Sequence, residues 1–295
     1  IALPTPQAAM AHVKDADGLI AWCVPALVRA APNLRWMHAL NAGVEPCVGE
    51  AGFQSGRVLL TNMQRVAGHI MAEHVIATML AMTRGLPYYI QAQAREEFAW
   101  GGPQANADRP PLIEVKGRTM LVAGLGGIGT EVARRAHGLG MKVVATRHSS
   151  TEGPDFVSYV GKSGELLALT AQADVIVNAM PLTEETREIF NDAFFARMKK
   201  DAYFINVGRG ESVRQEALIA ALNDGRIAGA ALDVMTPEPL PKGHPLWKAR
   251  NLLITPHTSA AIDENRERWP VVREQLRRYA AGDKMLSVVD PKRGY

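Results

Sequence analysis

Short apolar runs alternate with helical patterns along most of this chain. In its first third, runs typical of buried strands lie at residues 18–22, 35–39 and 59–62. In the remainder, such runs lie at residues 120–123, 141–146, 173–179, 202–207, 229–234 and 252–255. The segments between them carry apolar residues at helical spacing. Strands that alternate with helices pair in parallel, so the pattern predicts an α/β protein with its ligand sites at the carboxyl ends of the strands.

Two long helical segments indicate how the domains are divided. The pattern over residues 67–84 is apolar on nearly every side, which predicts a helix buried between domains or in a subunit interface. Residues 263–281 form a charged amphipathic pattern that is long enough to return to the first domain. Residues 101–111 lack periodicity and are predicted to form a loop. We therefore predict one domain at 91–264, inserted into a second, discontinuous domain formed by 1–90 and 265–295.

Length and composition are typical of an ordinary two-domain enzyme of 295 residues. The 33 basic and 30 acidic residues leave a net charge of +3 without a dense basic block, so no nucleic-acid partner is expected. Cys23 and Cys47 lie far apart and outside any Cys-x-x-Cys pattern, which argues against a disulfide framework or a metal site and favours a reducing cytoplasm. The most apolar segment, residues 70–82, is too short for a membrane span, and no signal peptide is visible.

A glycine-rich turn follows the apolar run at residues 120–123. Its glycine spacing matches the fingerprint in which the first glycine turns, the second lets a pyrophosphate approach and the third lets helix and strand pack. Such a turn alone could be a plain connection, but a helical pattern and the apolar run at 141–146 follow it. The complete strand, turn, helix and strand unit predicts a bound dinucleotide. The residues predicted to hold it are Gly124, Gly126, Gly127, Ile128 and Gly129.

The residue that distinguishes the two nicotinamide cofactors lies at the end of the second strand of this unit. Arg147 stands there, where an NAD site usually carries an acidic residue, and His148 and Ser149 follow it. A guanidinium matches a 2′-phosphate in charge and geometry, although a solvated surface arginine is the alternative. Because no acidic residue lies between residues 143 and 151, we predict that NADP(H) is preferred over NAD(H).

Three ionisable residues follow predicted strands on the side of the glycine turn. Arg209, Glu238 and His257 follow the apolar runs at 202–207, 229–234 and 252–255, respectively. Reduction of a 2-oxo acid needs a cation for the carboxylate, a proton donor for the carbonyl oxygen and a partner that keeps the donor protonated. Each residue alone could be a solvated or turn-capping side chain. As an ordered set behind a cofactor motif, they indicate an active site.

Motifs around these residues resemble the D-isomer-specific 2-hydroxyacid dehydrogenase family. They read Gly-Arg-Gly at 208–210, Asp-Val through Glu-Pro at 233–239 and Thr-Pro-His at 255–257, and the resemblance extends from about Gly18 to the end of the chain. It implies an α/β fold with two doubly wound parallel-sheet domains, a Rossmann cofactor domain inserted into a discontinuous flavodoxin-like substrate domain. It also implies a homodimer.

The same resemblance assigns roles to individual residues. Arg209 would bind the substrate carboxylate and carbonyl, His257 would be the general acid, and Glu238 would hydrogen-bond His257 and keep it protonated. The other residues that it assigns are the backbone of Ala42, Gly43 and Val44 for the carboxylate, Asp233 for the nicotinamide amide, and Pro181 and Thr186 near the cofactor.

Two departures from the family pattern leave the substrate open. Residues 41–46 read Asn-Ala-Gly-Val-Glu-Pro where Gly-Ala-Gly-Val-Asp is more usual, and the family's usual first strand and helix are missing before Ile1. Arg147 is similar to the arginine of the glyoxylate and hydroxypyruvate reductase branch, so we predict NADPH-dependent reduction of such acids. The alternatives are a corepressor-like nicotinamide-binding protein and a relative that acts on phosphite. His69 and His74 are predicted to be core histidines rather than ligands.

Overall fold

The computed structural model describes residues 5–99, 112–261 and 263–294, so the loop predicted at 101–111 lies outside the described residues. The described residues form ten strands and eleven α-helices. The strands are β1 (Gly18–Ala21), β2 (Trp36–Ala39), β3 (Leu59–Thr61), β4 (Thr119–Ala123), β5 (Lys142–Thr146), β6 (Tyr159–Gly161), β7 (Val175–Asn178), β8 (Tyr203–Asn206), β9 (Gly229–Leu232) and β10 (Leu252–Ile254). The helices are α1 (Pro6–Met10), α2 (Pro25–Arg29), α3 (Glu45–Val48), α4 (Ala51–Gln54), α5 (Gly68–Thr83), α6 (Leu86–Ala94), α7 (Gly127–Gly138), α8 (Leu166–Thr170), α9 (Asp192–Arg197), α10 (Gln215–Asn223) and α11 (Trp269–Ala281).

The chain divides into a larger compact unit, Gly68–Ala261, and a smaller one built from Ile1–Ala67 and Ile262–Tyr295. In the smaller unit, β1, β2 and β3 form a parallel sheet in that order. Strand β2 is buried along its whole length, so its residues do not alternate between buried and exposed positions, and its polar residue, His38, is buried as well. Trp36 on this strand stacks on Tyr279 of α11 at 4.6 Å between ring centroids. This contact joins the C-terminal helix to the sheet of the N-terminal segment.

A disulfide joins Cys23, which follows β1, to Cys47 in α3 of the smaller unit. The two Cα atoms lie 5.8 Å apart, within the range that a disulfide spans. The sequence-based argument against a disulfide is therefore wrong for this pair. Their 24-residue separation conceals the contact, because β1 and β2 pair in parallel and the loop after β2 brings α3 back to the end of β1. Whether the protein works in the cytoplasm stays a prediction.

Seven parallel strands form the sheet of the larger unit, in the order β10-β9-β8-β7-β4-β5-β6. The strand order reverses beside β4, and in such sheets the crevice at the carboxyl ends of the strands around this point receives ligands. Phe194 of α9 and Leu218 of α10 are fully buried in one hydrophobic core with Phe204 of β8. The α/β class and the Rossmann unit predicted from the sequence are confirmed.

Helix α5 belongs to the larger unit, whereas the sequence boundary near Gln91 assigned it to the substrate domain. It packs on α7, and its Met71, Val75 and Met79 side chains are buried. The second boundary differs less, because the larger unit ends at Ala261 rather than at 264. A helix with apolar residues all round is expected to be buried, but its sequence does not tell which sheet covers it. The predicted roles of the two domains, and a subunit interface at this helix, stay predictions.

The other differences concern short elements and ends. Strand β6 was not predicted, because three residues with an exposed Tyr159 carry little periodic signal. The helix predicted over 263–281 starts with a π-helical turn, Glu264–Arg268, before α11. In the part of the chain that the structure describes, none of the helices has the length and apolar character needed to cross a membrane.

Candidate active site

The glycine turn lies between β4 and α7 and has the geometry that its spacing predicts. Gly124 has φ +96°, a conformation that favours glycine. A Cβ at Gly129 would collide with the Gly124 carbonyl oxygen and lie 2.9 Å from Val122 Cγ1, so this glycine allows helix and strand to pack. A Cβ at Gly126 would meet no atom within 4 Å. Open space at the N-terminus of a helix of 12 residues fits a pyrophosphate, which the helix dipole and free N–H groups favour.

Arg147 lies next to this turn because the turn is hydrogen-bonded to the end of β5. The backbone N–H groups of Gly124 and Leu125 donate to the Thr146 carbonyl at 3.2 and 2.9 Å. The Arg147 guanidinium donates to the Glu152 carbonyl at 3.2 Å, and its backbone N–H donates to Gly161 at 2.9 Å. The candidate cofactor-selecting residue is thus held beside the candidate pyrophosphate site.

Lys162 is a second cation in this region that sequence reasoning missed. It follows β6, and its Nζ lies 3.4 Å from the carbonyl oxygen of His148. His148 and Ser149 are exposed, so the loop after β5 presents polar groups to solvent. Because β6 carries little sequence signal, nothing in the pattern indicated that Lys162 would join this loop.

His257 and Glu238 form a hydrogen-bonded pair. His257 Nδ1 lies 2.6 Å from Glu238 Oε2, and the other carboxylate oxygen accepts the Met235 backbone N–H at 2.9 Å. The imidazole is about half exposed and the carboxylate about one third. Since Nδ1 faces Glu238, Nε2 is the ring nitrogen that can meet a substrate. His257 has φ +51°, an uncommon conformation for a non-glycine residue, and its backbone N–H donates to the Asp233 carbonyl at 2.8 Å.

The loops that carry Arg209 and Glu238 are packed on each other. A Cβ at Gly210 would collide with the backbone of Met235, so only glycine allows this approach. Gln215 of α10 binds both backbone polar groups of Thr236: its Oε1 accepts the Thr236 N–H at 3.0 Å and its Nε2 donates to the Thr236 carbonyl. Gln215 therefore holds the loop of Glu238 in register with the loop of Arg209.

Buried polar side chains at the ends of β7 and β8 hold the Arg209 backbone. Asn178 Nδ2 donates to Asn206 Oδ1 at 2.9 Å and to Ser212 Oγ at 2.8 Å. Asn206 Nδ2 and Ser212 Oγ in turn donate to the Arg209 carbonyl at 3.0 and 2.6 Å. The Arg209 guanidinium donates to the Gly208 carbonyl at 2.8 Å. Sequence reasoning missed these supports, although an asparagine that ends a buried strand is a usable signal of such a network.

Asp233 is a buried carboxylate at the end of β9, and four groups surround it. It accepts Thr255 Oγ1 at 2.6 Å and the backbone N–H groups of Thr258 and Ser259 at 2.9 Å each. Burial raises the pKa of Asp233, but the hydrogen bonds from Ser259, Thr255 and Thr258 outweigh it and hold this pKa below its usual value. His74 Nε2 lies 3.1 Å from Thr255 Oγ1 and 3.8 Å from Asp233 Oδ1. His74 therefore contacts a predicted cofactor residue rather than only the core.

Two predicted segments lie in loops after other strands. Thr186 Oγ1 donates to the Pro181 carbonyl at 2.8 Å, so these two residues share the turn that follows β7. The residues 42–44 follow β2 in the smaller unit, where Asn62 Nδ2 donates to the Ala42 carbonyl at 2.6 Å. The cofactor and carboxylate roles of these segments stay predictions.

Known proteins resemble this chain over most of its length. The sequence model of the family described as D-isomer specific 2-hydroxyacid dehydrogenase, NAD binding domain, matches residues 76–259. A protein named glyoxylate reductase, from Korarchaeum cryptofilum, is 32% identical over 289 residues, which cover 95% of this chain and 84% of that protein.

Two solved structures are similar to this chain. A probable 2-hydroxyacid dehydrogenase from Rhizobium etli, in complex with NADP, HEPES and L(+)-tartaric acid, has a TM-score of 0.83 and 28% identity, with 98% of this chain and 89% of that chain covered. An NADPH-dependent glyoxylate/hydroxypyruvate reductase from Sinorhizobium meliloti, in complex with NADP and sulfate, has a TM-score of 0.81 and 29% identity, with 95% and 87% covered.

Proposed function

We propose that this chain, which belongs to the D-isomer specific 2-hydroxyacid dehydrogenase family, reduces small 2-oxo acids such as glyoxylate or hydroxypyruvate to D-2-hydroxy acids with NADPH. The chain is an oxidoreductase with a nicotinamide-binding domain. The observation that carries the proposal is the contact of 2.6 Å between His257 Nδ1 and Glu238 Oε2, because it orients an imidazole as a proton donor. The names of the similar proteins from K. cryptofilum and S. meliloti support the choice of acid.

Arg209 is proposed to bind the substrate. A guanidinium donates two parallel N–H groups to a carboxylate and fixes its orientation as well as its charge. Asn206 and Ser212 hold the backbone of Arg209 by its carbonyl, so the side chain leaves a rigid loop. A 2-oxo acid bound through its carboxylate would then have one orientation of its carbonyl group.

His257 is proposed to donate a proton from Nε2 to the carbonyl oxygen of the bound acid. Glu238 holds the imidazole by Nδ1 and faces the positive charge of the protonated ring, while the Met235 N–H holds the carboxylate. The nicotinamide, when bound, supplies the hydride that the carbonyl carbon takes up. A proton from His257 neutralises the charge that develops on the oxygen in this step.

The cofactor preference is proposed from the loop after β5. The Arg147 guanidinium and the Lys162 ammonium both lie at this loop, and each donates there to a backbone carbonyl. Two cations suit a 2′-phosphate, which carries more negative charge than the ribose hydroxyl of NAD. We therefore propose NADP(H) as the preferred cofactor.

Initial-rate assays with a panel of 2-oxo acids and both reduced cofactors test this function. We expect oxidation of NADPH with glyoxylate or hydroxypyruvate, a lower KM for NADPH than for NADH, and strongly reduced turnover by His257→Asn. An equal or reversed preference between the cofactors would contradict the NADPH proposal. Cofactor binding without turnover of any acid would instead favour the corepressor-like protein. Reduction of NADP+ by phosphite alone would favour the phosphite-oxidising relative.

A further inference from the structure

His74 is the side chain of α5 that reaches the end of the sheet. Its neighbours in sequence include the buried Ala72 and Val75, and the imidazole itself is only about one fifth exposed. Its Nε2 lies 3.1 Å from Thr255 Oγ1, which belongs to the segment after β10, 181 residues further along the chain. A core histidine with no further role would need only a partner for its polar atoms, whereas this partner itself binds Asp233.

The donors and acceptors that His74, Thr255 and Asp233 carry fix the direction of the hydrogen bonds between them. The Thr255 hydroxyl has one proton, and the Asp233 carboxylate is an acceptor only. The distance of 2.6 Å between Thr255 Oγ1 and Asp233 Oδ1 therefore uses the hydroxyl proton. The oxygen of Thr255 can then only accept from His74, so Nε2 of the imidazole carries a proton. The bonds run in one direction, from His74 through Thr255 to Asp233.

The receiving carboxylate also fixes the segment that carries the general acid. Asp233 accepts the backbone N–H groups of Thr258 and Ser259, and its own carbonyl accepts the N–H of His257. The rotation of the Asp233 carboxylate and the path of residues 255–259 are therefore coupled. A group that fixes Thr255 acts on both of them.

We propose that His74 is a positioning residue for the nicotinamide end of the cofactor: through Thr255, its Nε2–H fixes the carboxylate of Asp233 that meets the carboxamide. This inference rests on the proposed function for its effect on turnover, and on the predicted contact of Asp233 with the nicotinamide carboxamide for its effect on binding. His74 contacts neither substrate nor cofactor in this role. It sets the orientation of Asp233 and, through residues 255–259, of His257.

The test compares cofactor binding with fragment binding. His74→Phe keeps a ring of similar shape but removes the donor, and His74→Gln returns an N–H group to the position of Nε2. Dissociation constants are measured by calorimetry for NADPH and NADH, and for ADP-ribose and its 2′-phosphate, which lack the nicotinamide. Glu73→Gln is the matched control on the same helix. The Glu73 side chain is two-thirds exposed, and it faces Arg135 at 3.7 Å rather than Thr255.

We expect His74→Phe to weaken binding of the whole cofactor by about fivefold to tenfold, the effect of one lost hydrogen bond, and to leave fragment binding unchanged. His74→Gln should recover most of the lost affinity. The value of kcat should fall in His74→Phe and recover in His74→Gln in the same way. Unchanged binding of the whole cofactor, or an equal loss for cofactor and fragment, would overturn the proposal and leave His74 a core histidine. Because these constants need no turnover, a failure of the proposed function remains distinguishable.

A second pair of variants keeps the test independent of the folding of His74→Phe. Thr255→Val removes the hydroxyl in the same shape, and Thr255→Ser keeps it. Thr255→Val should reproduce the selective loss, and the double variant with His74→Phe should be no weaker than Thr255→Val alone, because both changes interrupt the same chain of bonds. Additive losses in the double variant would show that the two residues act separately and would overturn the proposal.

Discussion

Glu238 binds His257 through a hydrogen bond of 2.6 Å between Oε2 and Nδ1, although 19 residues separate them in the chain. The pair stands on two loops that leave neighbouring strands, β9 and β10, at the same edge of the sheet. The carboxylate is itself held by the Met235 N–H at 2.9 Å. The proposed acid and its orienting partner are therefore held together by contacts within the protein itself.

Removal of this pair should lower kcat strongly without loss of cofactor binding. We expect His257→Asn to lower kcat by about 10²-fold to 10⁴-fold, the usual contribution of a general acid. Glu238→Gln should also lower kcat, because the amide carries no charge to face the protonated ring. The decrease should be smaller than in His257→Asn, because the amide oxygen can still accept from Nδ1. Single-turnover rates with a 2-oxo acid measure both effects, and fluorescence titration with NADPH is the control. Wild-type turnover by His257→Asn would remove the imidazole from the mechanism.

Substitution of Arg209 should affect the substrate rather than the cofactor. Arg209→Lys keeps the charge but loses the two-pronged geometry, so we expect KM for the 2-oxo acid to rise by about tenfold to a hundredfold. Arg214→Lys is the matched control, because Arg214 forms an exposed ion pair with Asp192 in the same region. Steady-state assays at saturating cofactor separate the two variants. Equal behaviour of both would mean that Arg209 does not bind the carboxylate.

Arg147 and Lys162, the two cations at the loop after β5, are predicted to set the preference for NADPH over NADH. Arg147→Ala and Lys162→Ala should each raise KM for NADPH, by about tenfold or more for the arginine, and leave KM for NADH unchanged. Lys142→Ala, at the exposed start of β5, serves as the control. Ratios of kcat/KM for the two cofactors give the result. A parallel loss with both cofactors would point to a structural role for these side chains.

Two glycines of the glycine motif should have different roles: Gly129 in the stability of the fold and Gly126 in dinucleotide binding. Gly129→Ala should destabilise the fold by about 2 kcal/mol or more, since its Cβ would overlap backbone that cannot move freely. Gly126→Ala should leave stability nearly unchanged, because its Cβ meets no atom within 4 Å, but weaken dinucleotide binding by filling the space for the pyrophosphate. Urea unfolding and cofactor titration of both variants separate the effects. Unimpaired binding by Gly126→Ala would place the phosphates elsewhere.

His38 predicts how stability depends on pH. It is fully buried on β2, with Nδ1 2.9 Å from Thr61 Oγ1, and burial lowers its pKa from 6.5 to about 4. Above pH 6.5 both folded and unfolded states are neutral, and between these values only the unfolded state takes up the proton. The contribution of neutral, buried His38 to the free energy of unfolding is therefore complete above pH 6.5. It decreases by roughly 3 kcal/mol as the pH falls to 4. Urea unfolding of wild type and His38→Gln across this range should show a flatter curve for the variant. Parallel curves would contradict the buried neutral state.

Much of the larger unit could be predicted from the sequence because its signals are local. A strand buried on both faces is a continuous apolar run, and the glycine turn needs its residue types at fixed spacing. Glu238 and His257 could be predicted to lie at one edge because both follow strands of one parallel sheet, and the family resemblance implied that they pair. The asparagines that end β7 and β8 are a local signal of a polar network, but the partners within it could not be predicted, since Asn178 and Ser212 meet only through the pairing of β7 with β8.

By itself, the sequence determined the α/β class, the glycine turn and the order of Arg209, Glu238 and His257 along one edge. Only the tertiary structure decided that Cys23 bonds Cys47, that α5 packs in the larger unit, that Lys162 joins the loop of Arg147, and that His74 reaches Thr255. The physical reason is the range of the interactions. Hydrophobic periodicity encodes which face of an element is buried, whereas side-chain pairs across elements depend on how helices pack and on the order of the strands.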